Sequence, residues 1–322
     1  MQTRHSVKSF GFKVEEPLVL ECGETLRDLR IQYTTWGELN TDKSNVVWIF
    51  HALTANSDPS EWWESLFTKE SPINPDKHFI VCANIIGSCY GSTEPKRLDF
   101  PLLTIRDIVE PLKLLKHHLG IVKIKLGIGG SMGGQQLLEW AVQEPNLFET
   151  IVPIATNAKH SAWGIAFNEA QRLALKADPE NGLVAARAIA MLSYRHYHTY
   201  EKTQTDSDGR SDDFSASSYQ RYQGEKLKKR FSPFSYYTLS KAMDSHDVGR
   251  HFGGVENALS RIESKTIAIG LDTDILFPVA EQKFIAKNTK LGSFHEISSL
   301  YGHDGFLLET DQINTILKTE LL

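Results

Sequence analysis

Ser131 stands in the run Gly129-Gly130-Ser131-Met132-Gly133-Gly134, which contains the pattern Gly-x-Ser-x-Gly. An apolar stretch, Lys125–Ile128, comes before it and a helical run, QQLLEWAVQ, follows. A strand, a tight turn and a helix in that order push a serine Oγ out above the turn. Glycines are needed where the strand and helix come close. The start of the helix offers unpaired N–H groups and the positive end of a dipole, which favour a developing oxyanion. This is the arrangement of a serine nucleophile. Two rival glycine-loop chemistries fail. The phosphate-loop pattern Gly-x-x-x-x-Gly-Lys-Ser/Thr is missing, and the dinucleotide pattern laid on Gly127 meets Met132 at its third glycine.

A serine nucleophile needs a base, and the base needs an acid that fixes its tautomer. Downstream, Tyr301-Gly302-His303-Asp304-Gly305 follows the strand-like Phe294–Ile297 and precedes the helical FLLETDQINTILK. His303 therefore reads as a loop histidine at the edge where Ser131 emerges. The acid comes from TIAIGLDTDILFPVAEQ, where an apolar strand ends in Asp272-Thr273-Asp274 and Pro278 starts a helix. The residues alone leave Asp272 and Asp274 open. His117, His118, His196 and His198 read as surface residues, and His51 as a structural residue at a strand end.

The elements that must position these groups are legible as hydrophobic patterns. Val46–Phe50, Phe79–Ala83, Lys125–Ile128, Ile151–Ile154 and Thr266–Ile269 are short apolar runs suited to strands buried on both faces of a parallel sheet. Helical segments at Ile105–Leu119 and Gly134–Gln143 alternate with them, which predicts an α/β architecture. Between Lys13 and Trp36 apolar and polar residues alternate, predicting an antiparallel strand pair with Gly23 at the turn. From 157 to 254 helical patterns replace the alternation: FNEAQRLALKA, LVAARAIAMLSYR and FSPFSYYTLSKAMD, with a polar loop TQTDSDGRSDDFSASS before the last. The division is a core of 1–156 and 255–322 with a helical lid insertion at 157–254.

Bulk properties narrow the function. The 322 residues are 41% hydrophobic and 23% charged, as in a soluble globular protein. A net charge of −5 carries no basic excess and argues against nucleic acid as a partner. No stretch approaches the roughly 18 apolar residues of a membrane span. The start, MQTRHSVKSFGF, has no apolar core of a secretory signal. Cys22, Cys82 and Cys89 form no CxxC pair, so neither a zinc site of that type nor a disulfide framework is expected. A reducing cytoplasm fits that usage.

Taken together, the segments resemble the homoserine O-acetyltransferase family. They include HALTANS from His51, CANIIGSCYGST from Cys82, FPLLTIRDIV from Phe100, GGSMGGQQLLEWA from Gly129, WGIAFNEAQR from Trp163, MLSYR from Met191, YQGEKLKKRF from Tyr222, AMDSHDVGR from Ala242, DILFP from Asp274 and YGHDGFL from Tyr301. They run through the whole chain in family order. The resemblance implies an α/β-hydrolase fold, a mostly parallel sheet flanked by helices with a helical lid. It makes Ser131 the nucleophile, Asp274 the acid and His303 the base. The loop after the first buried strand supplies one oxyanion donor in this fold, so the backbone N–H groups of Leu53 and Met132 are the expected pair. Arg195 is expected to bind the homoserine carboxylate and Asp304 the ammonium. Acetyl-CoA is the co-substrate and L-homoserine the acceptor, with no bound metal or permanent cofactor, and the lid is expected to mediate a homodimer. The chain departs from the family pattern at Ala55, where Gly is usual, at Gln135, where Met is common, and at Gly305, where Ala or Ser is usual. Alternatives are a succinyl donor, serine as acceptor, an esterase or thioesterase with the same triad, and a silent binding protein, which would show a broken triad.

Overall fold

The structure, a computed structural model, describes residues 8–321; the expectation for the start of the chain falls in part on residues 1–7, outside the described residues. Its centre is an eight-stranded sheet. We label the strands β1 (Lys8–Lys13), β2 (Arg30–Trp36), β3 (Val46–Phe50), β4 (Phe79–Ala83), β5 (Ile124–Gly130), β6 (Phe148–Ile154), β7 (Lys265–Leu271) and β8 (Leu291–Ile297). Their order across the sheet is β1-β2-β4-β3-β5-β6-β7-β8. From β4 to β8 all neighbours are parallel, while β1–β2 and β2–β4 are antiparallel. Every residue of β3 is buried, as a strand covered by helices on both faces requires.

The antiparallel start differs from the expected pairing. Gly23 (φ 86°) does turn a hairpin, but it pairs only Leu18–Val19 with Thr25–Leu26. The long run Arg30–Trp36 pairs instead with Lys8–Lys13. The alternation identified the strands but not the partner, because the stronger hairpin signal lay between them.

Helix α2 (Met132–Gln143) packs on the sheet, and α1 (Ile105–His118) packs against α2. A reciprocal cap starts α1: the Thr104 hydroxyl accepts from Asp107 N, and the Asp107 carboxylate accepts from Thr104 N. Five helices occupy 157–254: α3 (Ala162–Ala177), α4 (Gly182–Tyr194), α5 (Tyr197–Gln204), α6 (Ser215–Lys228) and α7 (Pro233–Asp244). The last two residues of α5 and the first turn of α6 fall in the stretch read as a polar loop, which narrows to 205–214. They hold few apolar residues, so periodicity could not reveal them. Further along lie α8 (Val279–Asn288) and α9 (Thr310–Leu321). No helix among the described residues is long and apolar enough to cross a membrane.

Candidate active site

Ser131 adopts φ 56°, ψ −125°, a left-handed conformation unusual for a residue with a side chain. The elbow is held by its surroundings. Ser131 N donates to Ile154 O on β6 (2.9 Å), and Ser131 O accepts from Thr156 Oγ1 (2.8 Å). The glycines are sterically required: a Cβ on Gly133 would lie 2.1 Å from Phe50 O, and one on Gly129 would lie 2.6 Å from the Gly133 carbonyl. Strand β5 and helix α2 can approach this closely only without side chains at those two positions.

The three residues singled out from the sequence meet above the sheet. His303 Nε2 lies 2.9 Å from Ser131 Oγ, and His303 Nδ1 lies 2.7 Å from Asp274 Oδ2. All three are buried. The second Asp274 oxygen accepts from Leu276 N (2.8 Å) and Phe277 N (2.9 Å), so both carboxylate oxygens are engaged. Phe277, Phe306 and Tyr194 stand around the imidazole, with ring centroids 5.1, 5.2 and 5.6 Å away. The arrangement can move a proton from a serine hydroxyl to an imidazole whose tautomer is set by a carboxylate.

Asp272, the other carboxylate left open by the residues, is turned away. It accepts from Ser298 Oγ (2.8 Å) and Ser299 N (3.0 Å), tying the end of β7 to the loop after β8. The same pair of loops is joined by Thr273 Oγ1, which donates to Ser299 O (2.6 Å) and accepts from Gly302 N (3.1 Å). Acid and base are thus positioned by adjoining loops.

The loop 51–56 follows β3. His51 is fully buried, accepts from Ile85 N at Nε2 (3.1 Å) and lies 2.9 Å from Ala52 O through Nδ1. Burial holds its imidazole down at about 4, so it stays neutral and structural near neutral pH. Leu53 lies on the same cavity as Ser131. Met132 is the first residue of α2, so its N–H has no acceptor within the helix.

A cavity of about 580 Å³ opens over Ser131 and His303. Asp304 lines it, and so does Arg187, which sequence reasoning missed. Arg195 does not line it. Its Nε lies 3.0 Å from Asp304 Oδ2, as an ion pair without good hydrogen-bond alignment, and its guanidinium sits 5.3 Å from the centre of the Tyr301 ring. Arg195 is thus paired with Asp304, and Arg187 faces the cavity. Helical phase puts Arg187 there. Arg187 and Tyr194 are seven residues apart on α4 and share its cavity-facing side, while Arg195 is the C-cap with extended backbone. That phase was the available signal for Arg187. Among the described residues, no group of three or more His, Cys, Asp or Glu is gathered to hold a metal ion.

Residues 45–310 match the family model described as alpha/beta hydrolase fold. The chain is 48% identical to a homoserine O-acetyltransferase of Cyclobacterium marinum, across 96% of this chain and 93% of that one. It is 41% identical to a homoserine O-acetyltransferase of Chlorobaculum parvum, across 94% and 92%. The crystal structure of homoserine O-acetyltransferase from Staphylococcus aureus superposes with a TM-score of 0.84 at 28% identity, covering 97% of this chain and 95% of that one. Esterase E22 superposes with a TM-score of 0.89 at 20% identity, a likeness of fold. With the elbow, the meeting of Ser131, His303 and Asp274, and these relatives in view, the chain belongs to the α/β-hydrolase family and, within it, to the homoserine O-acetyltransferases.

Proposed function

We propose that this protein transfers the acetyl group of acetyl-CoA to the hydroxyl of L-homoserine through an acyl-Ser131 intermediate. Ser131 Oγ attacks the thioester carbonyl while His303 Nε2 takes its proton. The N–H groups of Leu53 and Met132 receive the oxyanion. The C–S bond breaks, His303 returns the proton to the sulfur, and CoA leaves as the free thiol. Homoserine then enters. His303 takes the proton of its hydroxyl, the alkoxide oxygen attacks the acyl-serine, and Ser131 is reprotonated as O-acetylhomoserine departs. Asp274 holds the imidazole and stabilises its cationic form throughout.

The observation that carries this reading is the pairing of Ser131 and His303 with both an anion and a cation in one cavity. A zwitterionic amino acid needs both, and a simple esterase needs neither. Asp304 receives the ammonium and Arg187 the carboxylate. Arg195, the residue expected to bind the carboxylate directly, acts through Asp304 by orienting it. The helices of 157–254 serve as a lid that keeps water from the acyl-enzyme. These helices also carry exposed Trp163, Leu173, Tyr197 and Tyr222, apolar surface that a second copy would cover in a homodimer. The three cysteines are unpaired, which suits a reducing cytoplasm.

The test is intact-mass analysis after mixing with acetyl-CoA alone, followed by homoserine. The reading requires one acetyl group on Ser131 that homoserine removes as O-acetylhomoserine. An adduct that forms only from succinyl-CoA would change the donor. An adduct lost equally fast without homoserine would make the protein a hydrolase. Light scattering in solution tests the homodimer; a monomer at micromolar concentration would refute it.

A further inference from the structure

Between α6 and α7 the chain turns at Arg230, and this residue reaches across to the core. Its Nη1 donates to Thr54 O (2.5 Å) and to the Tyr90 hydroxyl (2.7 Å), and its Nη2 lies 3.4 Å from Thr54 Oγ1. Thr54 adjoins Leu53, the residue whose N–H is proposed to receive the oxyanion. The link between them runs through two rigid peptide planes. Thr54 C=O and Ala55 N–H belong to one plane. Ala55 N donates to Ala52 O (3.0 Å), a hydrogen bond to the second plane, which Ala52 C=O shares with Leu53 N–H. Because a trans peptide sets its N–H opposite its C=O, holding Ala52 O sets the direction of the Leu53 N–H. The core supplies the other restraints, since His51 Nδ1 lies 2.9 Å from Ala52 O and Gln136 Nε2 donates to His51 O (3.0 Å).

We infer that Arg230 is a positioning residue: by fixing the Thr54–Ala55 peptide it aims the Leu53 N–H at the oxyanion, so that the helical segment over the cavity helps to assemble the acylation site. The inference rests on the proposed role of Ser131 and Leu53 in acyl transfer. Docking of the α6–α7 corner does not depend on this guanidinium. Phe231 packs on Tyr90 with ring centroids 5.7 Å apart, and Ser232 N donates to Cys89 Sγ (3.4 Å). The Arg230 bonds are themselves exposed, where each adds only a small net stabilisation. Removing the side chain therefore leaves a folded protein with a docked corner and a loosened 52–55 turn.

The experiment is pre-steady-state acylation by 4-nitrophenyl acetate, which requires neither CoA nor homoserine, read as the nitrophenolate burst in wild type, Arg230→Ala and Arg230→Lys. The account predicts an acylation rate constant about 10- to 100-fold lower in Arg230→Ala, since misplacement of a donor costs less than its deletion. KM for the ester and the thermal midpoint should stay near those of wild type, and Arg230→Lys should recover part of the rate. A burst within about twofold of wild type in Arg230→Ala would overturn the inference, given the size of effect expected of a misplaced donor. So would a slower burst accompanied by a fallen thermal midpoint and no recovery in Arg230→Lys, which would make Arg230 a docking residue. If wild type acylates from the ester but does not use acetyl-CoA with homoserine, the substrate reading fails while the Arg230 comparison still decides the inference. Without any wild-type burst, the inference falls with the role of Ser131.

Discussion

At the scale of single residues, the division of labour between two neighbouring aspartates is the sharpest prediction. Asp274 holds His303, whereas Asp272 ties two loops together from an exposed position. Asp274→Asn should lower the rate of acetyl transfer by about 10⁴-fold, because the amide fixes the wrong imidazole tautomer. Asp272→Asn should keep the rate within a few-fold and lower stability by about 1 kcal/mol or less, as expected for exposed hydrogen bonds. Equal losses in steady-state assays of the two variants would contradict the assignment. Arg187→Ala should raise KM for homoserine about 10- to 100-fold, the loss of a charge-assisted contact, while acyl-enzyme still forms from acetyl-CoA. An unchanged KM would remove Arg187 from the substrate site. Ser131 and His303 were legible in the sequence because each carries its own local context, an elbow and a loop before a helix; the strand end narrowed the acid only to Asp272 or Asp274, and the family resemblance chose Asp274. Arg187 was not legible, because its neighbours name only a helix, and the face it presents depends on how that helix lies over the sheet.

At the scale of elements, the elbow depends on backbone contact between β5, α2 and the end of β3. A Cβ at Gly133 would meet Phe50 O at 2.1 Å, an atom that cannot move without shifting the central strand. Gly133→Ala should therefore destabilise the fold by about 3 kcal/mol, near the upper end for overpacking, and displace Ser131 enough to slow acylation. A denaturant melt matching wild type would show that the contact is looser than the geometry implies. The central strands could be read because burial on both faces leaves continuous apolar runs, and Val46–Phe50 and Phe79–Ala83 agree residue for residue. Pairing of β1 with β2 could not, because register between strands separated by a hairpin is not written in either strand alone. Helix α5 was hidden for a related reason: its surface is mostly polar, and it is held by contacts such as that of Thr199 Oγ1 with Leu300 O, not by an apolar stripe.

For the whole molecule, buried histidines set the response to acid. His51, His160 and His246 are buried, and desolvation pushes them to about 4, about 4 and about 3, well below the ordinary imidazole value of 6.5. The unfolded chain binds protons at these positions below about 6.5 and the native chain does not, so stability is fully present above that pH and is lost as pH falls from about 6.5 towards 4. The slope should reach up to about 1.4 kcal/mol per pH unit for each histidine. Chemical denaturation at pH 7, 6 and 5 checks this, and a flat profile would contradict it. His160 is joined to α3 and the α7 end through Asn168 and Asp244, and to α2 through Gln135 (3.3 Å), so a buried polar network surrounds this imidazole. The run of helices between β6 and β7 was visible in the sequence as a change of periodicity, but the polar contact of His160 with Gln135 was not. The central claim is acyl transfer to homoserine, and its most direct test is the release of free thiol from acetyl-CoA, with and without L-homoserine, in wild type and Ser131→Ala. The account predicts release that depends on homoserine and is lost in the variant. Release that ignores homoserine, or that survives the loss of Ser131, would contradict it.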